Sequence, residues 1–132
     1  MLPDLITTIP GPKSLKLAGE LRKYESHNVT YTAPDWPVFW ERASGTNVWD
    51  TDGNRFIDLT SAFGMAGLGH GHAPLTEAMR KQSEKLIHAM GDVHPTELKV
   101  EVCKQLSEIT FERWGQGIGK SILSNSGSEA VE

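Results

Sequence analysis

The stretch Ser124-Asn125-Ser126-Gly127-Ser128-Glu129-Ala130-Val131-Glu132 constrains this chain most. It follows a short apolar run, Ser121-Ile122-Leu123, and leads into helix-favouring residues, so it predicts strand, tight turn and helix start. Ser126 with Glu129 three positions on forms a capping box, in which hydroxyl and carboxylate each take an unpaired backbone N–H. Gly127 lets another group approach the backbone with no Cβ in the way. The remaining N–H groups and the positive end of the helix dipole favour an anion, and Ser126 and Ser128 add hydroxyls. An ordinary helix cap and a phosphate seat share this pattern, and the rest of the chain has to separate them.

Upstream, two helices precede that turn. Ala73 to Met90 carries a stripe of Leu75, Ala78, Met79, Gln82, Leu86 and Met90, with Pro74 tolerated in the first turn. Pro95 to Phe111 follows, with Leu98, Val102, Leu106 and Ile109 expected inward and Cys103 beside them as a packing residue. Gly115-Gln116-Gly117-Ile118-Gly119 precedes the expected strand instead of following it, so it is read as a loop rather than a dinucleotide fingerprint. Helix, helix, strand, glycine turn, helix is the opening of an α/β fold.

The first part of the chain reads differently. Residues 1–13 hold three prolines and a glycine and form an irregular lead-in. Ser14 is the expected cap of a helix to about Glu25, with Leu17, Leu21 and Tyr24 on one face. Asn28 to Tyr31 is a candidate strand, and Pro34-Asp35-Trp36-Pro37 a turn or connector. Val38 to Ala43, Thr46 to Asp50 and Arg55 to Leu59 then predict an antiparallel meander, with Ser44-Gly45 and Asp52-Gly53-Asn54 as its turns. From Thr60 to His72, glycines at 64, 67, 69 and 71 give a loop of small residues. Such a loop is either approached closely by a ligand or another chain, or is a linker. Its two histidines, His70 and His72, have no carboxylate or cysteine at a ligand spacing, so no metal is expected.

Composition removes several function classes. A net charge of −4 with scattered basic residues gives no footprint for nucleic acid or an anionic membrane. No apolar run approaches the length of a membrane span, and Met1-Leu2-Pro3-Asp4 does not open a secretory signal. Cys103 is the only cysteine, which points to a reducing, cytoplasmic compartment. The chain also stops at Glu132 inside a newly capped helix, so we read it as the front piece of a longer protein.

Two separated blocks carry a family resemblance. Arg55-Phe56-Ile57-Asp58-Leu59-Thr60-Ser61, continuing to Leu68-Gly69-His70-Gly71-His72, resembles the N-terminal signature of class III pyridoxal-phosphate-dependent aminotransferases. These include the ornithine, acetylornithine, 4-aminobutyrate and related omega-aminotransferases. Asn125 to Glu132 resembles the same family's phosphate cup. The resemblance covers roughly residues 36 to 132. It implies the N-terminal part of a fold-type-I α/β enzyme: a short meander, then helices and the first strand of the large domain. Residues 1–72 would be the N-terminal segment with its substrate-side loop, and residues 73–132 the start of the cofactor-binding domain.

It implies pyridoxal 5'-phosphate at a homodimer interface, with Gly127 and Ser128 on its phosphate, Ser126 capping the same helix and Phe63 facing the substrate. The substrates implied are a small-molecule amino donor and a 2-oxo acid; an aminomutase or decarboxylase of the same fold, or a non-catalytic phosphate-binding module, are the alternatives. Two departures stand out. Ala62 occupies a usual glycine position, and the proline after the second histidine is displaced by one, giving Ala73 then Pro74. The family's catalytic lysine and its aspartate for the pyridine nitrogen lie beyond the cup, whereas Lys13, Lys16, Lys23, Lys81, Lys85, Lys99, Lys104 and Lys120 all precede it. No catalytic residue is therefore expected in this chain, and the isolated polypeptide is expected not to transaminate.

Overall fold

Turn chemistry organises the first half. In the computed structural model, which describes residues 1–31 and 33–132, the meander forms as β1 (Trp40–Ser44), β2 (Asn47–Asp50) and β3 (Arg55–Ile57). The strands pair antiparallel in the order β1-β2-β3. Gly45 and Gly53 take the positive φ values, 58° and 90°, that tight turns need. An irregularity between Trp40 and Arg42 shifts the register of β1. Every residue of the central strand β2 is buried, and Val48 and Trp49 supply most of the apolar core. The Arg42 guanidinium lies 3.8 Å from the centre of the Trp49 ring.

A polar hub ties the lead-in to this sheet. Asn54, fully buried, accepts the N–H groups of Ile6 (2.8 Å) and Thr7 (2.9 Å), and its amide donates to Thr7 Oγ1 and Asp50 Oδ2. Asn47 is bonded to both ends of Met1, through its N-terminal amine and its carbonyl. Asp4 and Arg55 exchange backbone hydrogen bonds of 2.9 and 2.8 Å. The lead-in is irregular, as its prolines predict, yet backbone groups of Met1, Leu2, Asp4, Ile6 and Thr7 find partners on Asn47, Asn54 and Arg55.

Helix α1 spans Pro12–Tyr24, starting two residues before the expected cap. Ser14 does not cap it. The Asp52 carboxylate, from the β2–β3 turn, accepts the N–H groups of Lys13 (2.8 Å) and Ser14 (2.9 Å). Burial pushes the Asp52 carboxyl upward, but these two backbone hydrogen bonds prevail and hold it below the usual range. A Cβ at Gly11 would lie 2.3 Å from Asp52 Cγ, so this approach requires glycine. The buried stripe of α1 is Ser14 and Ala18, with Leu21 half-buried, while Leu17 and Tyr24 are exposed. Ser14 meets residues flanking the sheet: its Oγ accepts the Phe39 N–H at 3.4 Å and lies 3.4 Å from Thr51 Oγ1. Asn28 to Tyr31 is not a strand: Asn28 has φ 65°, and Glu25 accepts from Thr30 N and Oγ1 to close a turn.

Helix α2 covers Ala73–Lys85, shorter than expected, and buries none of its residues. Residues 86–96 leave the helical path through turns at Met90 to His94, where Lys99 Nζ donates to Gly91 O at 2.6 Å. Helix α3 spans Glu97–Ser107, capped by the Thr96 side chain on Lys99 N, and continues as a π-helical turn over Glu108–Glu112. Its expected inward residues Leu98, Val102, Leu106 and Ile109 are exposed. Ser107 is buried instead, donating to Glu112 and accepting the Gly119 N–H at 2.9 Å. Ser121-Ile122-Leu123 forms no strand, because a strand exists only through pairing and no described residue pairs with it. The short helix α4, Gly127–Val131, closes the chain. By compactness, residues 1–81 and 82–132 form two units, the division falling within α2.

Candidate functional site

The capping box of the last stretch is formed. Ser126 has extended backbone, and its Oγ accepts the Glu129 N–H at 3.2 Å. The Glu129 carboxylate reaches back to the Asn125 N–H at 2.8 Å, one residue before the usual partner of this motif. Position in the first turn leaves the N–H groups of Gly127 and Ser128 without an intrahelical acceptor. A Cβ at Gly127 would meet nothing within 4 Å, so packing in this chain does not demand glycine there. Residues 126–129 are exposed. The donor set is two backbone N–H groups, a serine hydroxyl and a helix N-terminus, which fits an anion such as a phosphate.

Phe63 belongs to the other compact unit and stands on an unusual turn. Ser61, Ala62 and Phe63 take φ values of 50°, 49° and 57°, followed by Gly64 at 87°. Hydrogen bonds from Gly64 N to Thr60 O (3.1 Å) and Ala66 N to Ser61 O (2.8 Å) close one left-handed turn. For residues with a Cβ this conformation costs roughly 1–2 kcal/mol each, so something must hold it. Phe63 is 99% exposed at its apex, and Leu59, Met65 and Leu68 are exposed around it.

The holding group is Asp58, a residue whose role sequence reasoning did not identify. Its Oδ1 accepts Thr60 N (2.9 Å) and Thr60 Oγ1 (2.7 Å); its Oδ2 accepts Ala62 N (3.0 Å) and pairs with His70 Nε2 (2.8 Å). The Thr60 hydroxyl first, then His70, with backbone N–H groups of Thr60 and Ala62 adding to them, hold the Asp58 carboxyl down at about 2. His70 also meets the edge of Trp40, with ring centres 6.1 Å apart, and exchanges two 2.8 Å backbone hydrogen bonds with Gly45. The H-x-H pair is thus divided: His70 braces the loop, while the His72 carbonyl accepts from Thr76 at the start of α2. The only hint in the sequence was the Asp58-Leu59-Thr60 spacing of an Asx turn.

Other features carry no expected site residue. An open recess of about 630 Å³ at the end of α1 is lined by Arg22, Glu25, His27, Asn28 and Tyr31, among others. Among the described residues no group of three or more His, Cys, Asp and Glu side chains is placed to hold a metal. No helix among them is long and apolar enough to cross a membrane.

A family model, Aminotransferase class-III, matches residues 29–132. The 4-aminobutyrate aminotransferase of Mycobacterium leprae is 41% identical over 129 residues, covering 98% of this chain and 28% of that protein. The acetylornithine aminotransferase of Caldanaerobacter subterraneus subsp. tengcongensis is 35% identical over 109 residues, or 83% of this chain and 26% of that one. The crystal structure of acetylornithine aminotransferase from Elizabethkingia anophelis superposes with a TM-score of 0.70 at 28% identity, covering 89% of this chain and 28% of that one. The chain therefore spans little more than a quarter of the length of the relatives it matches.

Proposed function

The chain belongs to the class III aminotransferase family and has the fold of that enzyme's N-terminal part, and from this we propose that it furnishes the cofactor-phosphate seat and one substrate-side wall of such an enzyme. The reaction proposed is transfer of an amino group from an amine or amino acid to a 2-oxo acid. Pyridoxal 5'-phosphate, when bound, would supply the electron-withdrawing ring on which that transfer depends. The protein's part at residues 126–128 is electrostatic. The N–H groups of Gly127 and Ser128 and the Ser128 hydroxyl would donate to the phosphate, while Ser126 keeps the helix end in register by capping Glu129 N. Phe63, exposed on its left-handed turn, would present its ring to the substrate.

The observation that carries this reading is the formed cap with its two unsatisfied N–H groups, inside the stretch that the family model matches. Residues 1–72 and 73–132 then act as substrate-side segment and start of the cofactor domain. Assembly as a homodimer in the cytoplasm belongs to the same proposal; the family resemblance supports the first and the lone Cys103 the second.

The test compares pyridoxine 5'-phosphate with pyridoxine by amide NMR on the chain. The phosphorylated compound should move the Gly127 and Ser128 amides, and pyridoxine should not. Ser128→Asp, which sets like charge against the phosphate, should abolish the movement. Equal shifts with both compounds, or shifts that spare these two amides, overturn the assignment.

A further inference from the structure

The loop between Asp58 and His70 is fixed at both ends to the same strand turn. Asp58 N donates to Thr46 O at 2.8 Å, and His70 pairs with Gly45 in both directions. The two side chains then meet each other at 2.8 Å, closing the loop across its neck. Between these anchors lie three successive non-glycine residues in the left-handed region, an arrangement that seldom persists unless its surroundings impose it. Glycine at position 62 would adopt φ near 49° without cost, but the residue is alanine. The bias must therefore come from outside the backbone.

The Asp58 carboxylate is placed to supply it. Its side chain is only 2% exposed, and it accepts the N–H groups of Thr60 and Ala62 with different oxygens. Holding both donors on one carboxylate closes residues 58–62 into a tight turn. Thr60 reinforces the arrangement with its hydroxyl, and His70 occupies the remaining lone pair of Oδ2. The contrast along the loop is sharp. The group that imposes the conformation is buried, and the ring it directs, Phe63, is exposed.

We propose that Asp58 is a positioning residue: its carboxylate holds Ser61, Ala62 and Phe63 left-handed and thereby sets the direction in which Phe63 meets the substrate. The first half of this statement concerns the loop alone, while the second rests on the substrate-side reading of Phe63. Asp58 itself does not touch substrate in this scheme. Replacing it with asparagine retains the size of the side chain but removes one acceptor, so Thr60 N or Ala62 N loses its partner.

The experiment has one conformational and one kinetic arm. Left-handed residues give strong intraresidue HN–Hα NOEs, so the chain should show them at Ser61, Ala62 and Phe63. Asp58→Asn should weaken all three while the shifts of Val48 and Trp49 report an intact meander. Adding Ala62→Gly to that variant should recover part of the NOE at Phe63, because it removes the left-handed penalty at one of the three residues. Should Asp58→Asn disturb the meander as well, Thr60→Val removes a single hydroxyl contact and should weaken the same NOEs in part. Unchanged NOEs in Asp58→Asn, or in Thr60→Val where that variant replaces it, overturn the positioning role.

In an intact enzyme carrying this segment, Asp58→Asn should raise KM for the amino donor about tenfold with kcat within about twofold, and Ala62→Gly should recover part of the loss. A fall in kcat at constant KM would also overturn it. If Phe63→Ala leaves KM untouched while the NOE results stand, the substrate-side reading of Phe63 fails and the loop mechanism survives.

Discussion

Residues 1–58 and residues 82–132 solve the same problem with different means. In the first region hydrogen bonds join positions far apart in sequence, such as Met1 to Asn47 and Ile6 to Asn54, separated by 46 and 48 residues. In the second they stay local; the Ser107–Gly119 bond spans 12 residues and Lys99–Gly91 spans 8. The first region buries a whole strand, β2. The second has capped helices whose apolar faces, Leu98, Val102 and Ile109 among them, remain exposed. Local signals suffice to start a helix, but burial needs a partner element. The meander supplies its own cover by drawing in α1 and the lead-in.

The sharpest way to break this comparison is Asn54→Ala. It removes the acceptor of two backbone N–H groups and a donor to both Thr7 and Asp50, all around a fully buried side chain. Leaving such groups unsatisfied should cost roughly 3 kcal/mol, read as a lower urea midpoint with loss of amide protection at Ile6 and Thr7. An unchanged midpoint would mean that the hub does not close the first region.

That hub also shows where legibility stops. Asp52-Gly53-Asn54 announces a hairpin, and the hairpin is there, since turn chemistry acts over a few residues. Ser126 and Glu129 announce a capping box for the same reason, and it forms. The second task of each turn residue was hidden. Asn54 captures the lead-in and Asp52 caps α1 across 38 residues, and no local pattern encodes such a pairing. Of the stripe Leu17, Leu21 and Tyr24, only Leu21 falls on the buried side with Ser14 and Ala18, because the contacts that choose the side come from residues far along the chain. Ser121-Ile122-Leu123 has strand composition and no strand, since composition supplies no partner. Asp58 and His70 were both in view, twelve residues apart, but their meeting depends on the register of the β1–β2 turn.

A smaller, more local effect is expected at Asp58 in acid. Its folded carboxyl lies at about 2, below the ordinary carboxylate value, so its stabilisation is complete above roughly pH 4. That contribution is lost as the pH falls through the folded value. A carboxyl carbon titration should place the Asp58 midpoint near 2, and the HN–Hα NOEs of Ser61 to Phe63 should weaken over the same range. A midpoint at the ordinary value would remove the carboxylate from the account of the loop.

The smallest effects sharpen the comparison inside the second region. Ser107 and Ser126 each accept a backbone N–H through the hydroxyl, from Gly119 at 2.9 Å and Glu129 at 3.2 Å. Ser107 is buried and also donates to Glu112, whereas Ser126 is exposed. Ser107→Ala removes, at a buried position, the partner of the part-buried Gly119 N–H and of the Glu112 carboxylate, and should lower the stability of residues 97–119 by about 1 kcal/mol. Ser126→Ala exposes to water an N–H that water can satisfy, so its cost should stay near 0.5 kcal/mol. With residues 126–131 exposed, that loss should appear as weakened helical carbon shifts over residues 127–131 rather than as a moved unfolding midpoint. If Ser126→Ala shifted the midpoint as far as Ser107→Ala does, α4 would be held by more than its cap, and the exposure of residues 126–132 could not be the reason its amides stay open to an anion.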